Sequence, residues 1–339
     1  MERSNSWKQA SFFLSVIGLV VILGVLKILS QIFLPLLIAF LIVLLFQPLN
    51  NFLIKRKIPK AVTIFLDLII LIILFVGIIN LLFASLGEFT AQLPEYKNKL
   101  DEIIHGYAAQ MGIKNFTLTK WFESNVNFSQ LFQNVFSSTM SIISTTMLVL
   151  FFFIFLSSGI DKFTETIIKY FSKQGDDRLQ NRIRNIPQKI QSYVITKTFI
   201  SLLTAILIGV LLYIFDVDFW LIWVVLTFLL NFIPNFGSII ATILPTTMIL
   251  IQYNSISKTI IFVTVSILVQ NIVGNFLEPK ILGEKLGLNP IVILISLLVW
   301  GYIWGLAGMF LAVPITAIIK ILISGTESHQ LNFISELIS

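Results

Sequence analysis

Long apolar runs, almost free of charge, decide the solvent this chain is built for. Stretches such as Ala61–Leu86, Met140–Leu156 and Lys258–Phe276 are each about the length that reads as a membrane span. In hydrocarbon every backbone N–H and C=O must be satisfied within the protein, which leaves helices and closed barrels. Barrel strands alternate apolar and polar residues; these runs are apolar all round. Composition agrees: charged residues are 12% of the 339, against about 25% in an ordinary soluble domain. An all-α, polytopic integral membrane protein follows, with about eight transmembrane helices.

The order of the runs gives the organisation. Residues 1–86 hold three spans, Ser11–Leu29, Gln31–Leu49 and Ala61–Leu86. The first is too long for a signal-peptide core, lacks a small-residue cleavage site, and reads as a retained span. Residues 87–138 are polar and of mixed charge, an expected extracytoplasmic segment of short amphipathic helices. A fourth span lies within 139–157, a basic cytoplasmic helical segment within 158–195, a membrane core within 196–325, and a polar tail at 326–339. Lys and Arg bias sets the orientation. Arg3 and Lys8, the Lys55–Lys60 loop and Lys162 to Lys189 are placed on the cytoplasmic side, and both termini with them.

Most chemistry is excluded by residue type. There is no cysteine, and there are only two histidines, His105 and His329, so no thiolate or haem site and no metal is expected, nor any cofactor. No phosphate loop, H-E-x-x-H or G-x-S-x-G is present, and the chain does not read as an enzyme. The net charge of +6 is explained by the flanks of spans and calls for no nucleic acid. What remains is polarity at membrane depth, which is expensive and faces bundle interiors or water-filled cavities. Gln270 lies beside Asn271, Asn275 and Glu278, whose i, i+4, i+7 spacing puts those three on one helix face. That stripe serves either a solute path or interhelical hydrogen bonding.

Two breaks flank the stripe. In NFIPNFG, Asn231–Gly237, Pro234 removes a backbone donor and Gly237 frees the chain, so the helix is expected to unwind there, either to line a cavity with Asn231 and Asn235 or to make a tight cytoplasmic turn between two spans. In EPKILGEKLGLNP, Gly283 and its neighbours predict a structured turn, with Glu278 and Lys280 either paired across a pathway mouth or snorkelling from an interfacial loop. Gly301, Gly305 and Gly308, with Pro314, are candidate packing or hinge positions, and the C-terminal third has room for half-spans or a re-entrant hairpin. Asp67 and Glu278 are the candidate proton carriers. The Phe151–Phe153 run is expected to face lipid or a neighbouring subunit, and Lys27 to act as an interfacial anchor.

The strings NFIPNFGSIIATILP and QNIVGNFLEPKILGEKLGLNPIVILISLLVWGYIWGLAGMFLAVPITAIIK resemble the autoinducer-2 exporter (AI-2E) family of bacterial membrane proteins over about Asn231–Lys320. The resemblance implies a multi-span inner-membrane transporter working as a homo-oligomer, a pentamer being one assembly it allows. Family members are assigned to autoinducer-2 export or to sodium/proton exchange. Onto this chain it carries Pro234, Gly237, Asn275, Glu278, Pro279, Gly283, Gly301, Gly305, Gly308 and Pro314. The expected function is export of a small polar solute across the bilayer. Its rivals are a cation/proton antiporter and a membrane scaffold that binds partners through its basic segment.

Overall fold

The computed structural model describes residues 13–14, 17–18, 20–110, 128–173, 177–282, 287–324 and 337–338, and among these there is no strand. The elements are α1 (Ser30–Lys55), α2 (Lys60–Gln110), α3 (Phe128–Lys173), α4 (Asp177–Ile214), α5 (Trp220–Leu230), α6 (Phe236–Tyr253), α7 (Ile256–Asn271), a π-helix (Ile272–Leu277), α8 (Glu278–Leu282) and α9 (Pro290–Ile323). Among the described residues seven segments are long and apolar enough to cross a membrane, from Ser30–Lys55 to Pro290–Ile323. The expected first span, Ser11–Leu29, lies partly outside the described residues, and residues 20–28 of it are helical.

The chain divides into two compact units. One comprises Met1–Lys55, Ile143–Gln191 and Leu286–Ser339. Its core includes Ala39, Leu44 and Phe46 of α1 and Phe153 of α3, with the Phe46 and Phe153 rings edge to face at 6.1 Å. The Phe151–Phe153 run is therefore split: Phe151 is exposed, but Phe153 is fully buried, because a helix turns successive residues to different faces. Gln191 donates to the Leu44 carbonyl and to Gln47. Lys27 lies over the Tyr302 ring, 4.0 Å from its centre.

Helix α9 is not one rod. Gly305 adopts φ 63°, ψ −144°, a conformation open essentially to glycine alone, and the chain folds back on itself there. Ser296 on the first arm meets the Ala312 carbonyl and the Thr316 hydroxyl on the second. A Cβ at Gly308 would lie 1.9 Å from the Trp300 carbonyl oxygen, so glycine sets the closeness of the arms. Arms of about 22 and 27 Å fall short of the roughly 30 Å hydrocarbon core. The segment is a helical hairpin rather than one straight helix, and Lys320, near its end, donates to the Gly287 carbonyl just before its start. The three glycines thus serve one fold-back, and Pro314 is buried in its second arm.

The second unit comprises Arg56–Ile142 and Ser192–Lys285. Helix α2 corrects the expectation of short helices after residue 87: it runs unbroken for 51 residues through Gly87 and Pro94. Its distal part has ordinary helix formers and an i, i+4 Glu95–Lys99 pair at 2.8 Å. At about 77 Å it is far longer than the bilayer is thick, so its distal part stands outside. There Tyr96 donates a 2.6 Å hydrogen bond to Asp218. Burial, and then Asp218, hold the Tyr96 phenol protonated well above the usual tyrosine range.

Helices α5 and α6 form a hairpin whose base is tied by side chains. Gln252 accepts from the Asp218 N–H and donates to the Asp216 carbonyl, and the Tyr253 hydroxyl donates to the backbone oxygens of Phe215 and Asp216. Leu212, Met248, Ile249 and Phe262 pack beneath it.

Candidate functional site

The tip of the α5–α6 hairpin is the NFIPNFG segment. Residues 231–235 leave the helix, and Asn235 takes φ 61°. A Cβ on Gly237 would fall 1.7 Å from the Leu230 carbonyl oxygen: only glycine lets α6 start so close to where α5 stops. At the tip the Asn231 amide donates to the Ser201 hydroxyl of α4 at 3.1 Å. Ser201 sits about 14 residues into the Pro187–Ile214 apolar stretch, or about 21 Å along its axis. The break is thus docked beside the middle of a span, where irregular backbone is tolerated only if buried in protein or lining water.

Beside the tip lies a cavity of about 600 Å³, formed wholly within this unit. Of the residues singled out from sequence, Asn231, Pro234, Asn235, Gln270, Asn271, Asn275 and Glu278 line it. Gly237 is buried behind the tip, and Lys280 is exposed beyond the cavity. Asp67 is fully buried on α2, near Thr63, and is not among the lining residues. Gly283 lies outside the described residues.

The floor of the cavity differs from the expectation. Glu278 pairs with Lys197 of α4 at 2.6 Å, not with Lys280. Lys280 is two residues from Glu278, which points it to another face of the helix. Nor is there a break at Glu278: the chain continues from α7 through the π-helix into α8, helical to Leu282. Lys197 is only 4% exposed, and a buried charge persists only if paired. Two further polar stripes were not singled out. On α4, Lys197, Ser201 and Thr204 recur at i, i+4, i+7 and are all buried, with Lys197 alone of the three lining the cavity. On α6, Ser238, Thr242 and Thr246 recur every fourth residue and line the cavity. Both stripes are visible as helical periodicity of small polar residues within apolar runs, the signal already used for Asn271, Asn275 and Glu278. Opposite, the Asn275 amide donates to the Asn271 oxygen at 2.6 Å. Asn275 lies in the π-helix and Asn271 directly precedes it, a form that recurs at functional sites.

Among the described residues no group of three His, Cys, Asp or Glu could hold a metal ion. Amides, hydroxyls and one ion pair thus face a space large enough to admit a small solute.

A multi-pass helical membrane protein with a polar chamber beside a broken helix belongs, as a class, with the membrane transporters. Residues 16–327 match the model of the AI-2E family transporters, and the chain is a member of that family. It is 27% identical over 321 residues to the AI-2 transport protein TqsA of Escherichia coli K12, covering 92% of this chain and 91% of that one. It is 29% identical over 326 residues to a protein of Borreliella burgdorferi named "Putative transport protein", covering 95% and 89%. A Bacillus subtilis relative, YrrI, also carries a transport name and is 24% identical over 310 residues, covering 87% and 86%. The protein is a membrane transporter.

Proposed function

We propose that this transporter is a secondary exporter or facilitator of a small polar solute, and that the solute passes through the chamber lined by Asn231, Gln270, Asn271, Asn275 and Glu278. The observation that carries the reading is the unwound 231–235 tip docked at mid-span against a polar chamber of about 600 Å³. Unwound backbone and half-helix ends are how transporters meet a substrate at membrane depth. The AI-2 transport name of one relative makes an AI-2-like solute the first cargo to try. We further propose a bacterial inner-membrane location, cytoplasmic termini, which follow from the basic loops, and a homo-oligomeric assembly. Rocking of the hairpin against α7 around the chamber would alternate access.

Cation/proton exchange fits less well. The one carboxylate in the chamber is already neutralised by Lys197, so exchanging a proton there must also break an ion pair. Proton flux in proteoliposomes, read with an internal pH dye under imposed Na⁺ or K⁺ gradients, separates the two. Solute export predicts no ion-driven proton movement in the wild type. Movement that Glu278→Gln abolishes would establish antiport instead. For the pathway itself, Asn271→Leu and Asn275→Leu should cut solute counterflow at least tenfold with little change in stability, since both side chains are exposed. Unchanged counterflow would remove the chamber from the path.

A further inference from the structure

The two partners at the chamber floor are not equivalent. Lys197 is 4% exposed and Glu278 is 22% exposed. Glu278 can swing away and be rehydrated; Lys197 cannot leave the interior, and among the described residues Glu278 is its hydrogen-bond partner. A solute that displaces one member must therefore displace Glu278, and must bring an anion to do so. A cation competing for Glu278 would strand the buried ammonium, and a neutral solute would leave the pair in place.

The α6 wall adds a second constraint. Ser238 donates to the Asn235 carbonyl, Thr242 to Ser238 and Thr246 to Thr242, at 2.8, 2.9 and 2.6 Å. A hydroxyl carries one hydrogen, and here each is committed to the helix's own backbone. The wall therefore offers lone pairs to the chamber and asks for donors. The third feature is the π-helix directly before Glu278. Release of its extra residue would turn the following helix by about 100° and carry Glu278 off Lys197.

We propose that the chamber binds a small hydroxylated carboxylate. Its anionic group takes the place of Glu278 on Lys197, and its hydroxyls donate to Ser238, Thr242 and Thr246. The inference rests on the transport reading in taking the chamber as the solute's site, but it is tested by binding alone. The thermal midpoint of the full chain in detergent is titrated with D-gluconate, sorbitol, hexanoate and sodium ion. Gluconate should raise the midpoint of the wild type more than either half-match, sorbitol or hexanoate. It should act on Glu278→Gln at about tenfold lower concentration, because the resident competitor is gone. Lys197→Gln, and the double variant Lys197→Gln/Glu278→Gln, should not respond to it. Should Glu278→Gln fail to fold, the contrast between wild type and the double variant carries the same test. No effect of gluconate on the wild type, an equal effect on Lys197→Gln, or a stronger response to sodium overturns the proposal. Lys197-dependent binding without gluconate counterflow in proteoliposomes would refute the transport route and keep the site. Counterflow with Lys197-independent binding would do the reverse.

Discussion

Gly237→Ala tests the hairpin tip on which the chamber depends. The added methyl carbon would stand 1.7 Å from the Leu230 carbonyl oxygen and 2.5 Å from its carbon. Both are backbone atoms, so no rotamer change relieves the clash. The start of α6 must move by more than an ångström from the end of α5. Forced overpacking of that kind costs about 1–3 kcal/mol. The displacement also stretches the Asn231–Ser201 bond at the tip, worth about 1 kcal/mol. A destabilisation of about 2–4 kcal/mol is expected, read by denaturant unfolding of the detergent-solubilised protein, together with a loss of solute counterflow. Gly77→Ala is the internal reference: nothing lies within 4 Å of its added carbon, and mid-helix alanine should stabilise by up to about 1 kcal/mol. Gly274→Ala, equally unobstructed but on the chamber wall, separates a change inside the chamber from a moved tip. If Gly237→Ala unfolds at the wild-type midpoint with wild-type flux, the close approach of α5 and α6 is wrong, and with it the geometry of the tip.

Gly305→Ala forces a side chain onto φ 63° and should destabilise by about 1–3 kcal/mol on the same unfolding assay. At the floor, Glu278→Gln should cost about 3 kcal/mol by stranding the buried Lys197, and Lys197→Gln less, because Glu278 can reach water. The double variant should cost less than the sum, with a coupling of about 1–3 kcal/mol; strict additivity would deny the pair. Tyr96 supplies a pH dependence. Its folded pKa is raised, first by burial and then by Asp218, so its stabilisation is complete below about pH 10, the unfolded value, and is lost as pH rises above that. Between pH 10 and 11.5 the wild type should lose stability relative to Tyr96→Phe by up to about 1.4 kcal/mol per pH unit; parallel curves would show that Tyr96 is neither buried nor bonded to Asp218.

Which parts were legible beforehand follows from the range of the forces involved. Helical membrane architecture is dictated by local composition, because backbone groups in hydrocarbon leave no other outcome. The break at Asn231–Gly237 is equally local, since proline and glycine act on their own φ, ψ and N–H. The stripe of Asn271, Asn275 and Glu278 needs only helical periodicity, and all three do face one chamber. Length misled at α2: nothing in the polar composition after Leu86 marks a stop, and the helix ran on to Gln110. In the 34-residue α9 the glycines between two short apolar runs had already left room for a hairpin, and one positive φ folds the chain back.

Contacts distant in sequence were decided only by the tertiary structure. Lys197 and Glu278 are 81 residues apart, and the nearer Lys280 was the natural partner on sequence alone. The choice between them is made by which face of α8 meets α4 and by burial, which makes an unpaired Lys197 intolerable. Likewise, the serine and threonine stripe of α6 reads as ordinary helix until the hairpin turns it toward Asn271 and Asn275. Periodicity determines what a helix can present; the packing of its neighbours determines to whom, because charge and hydrogen-bond satisfaction inside a membrane are settled across helices rather than along them.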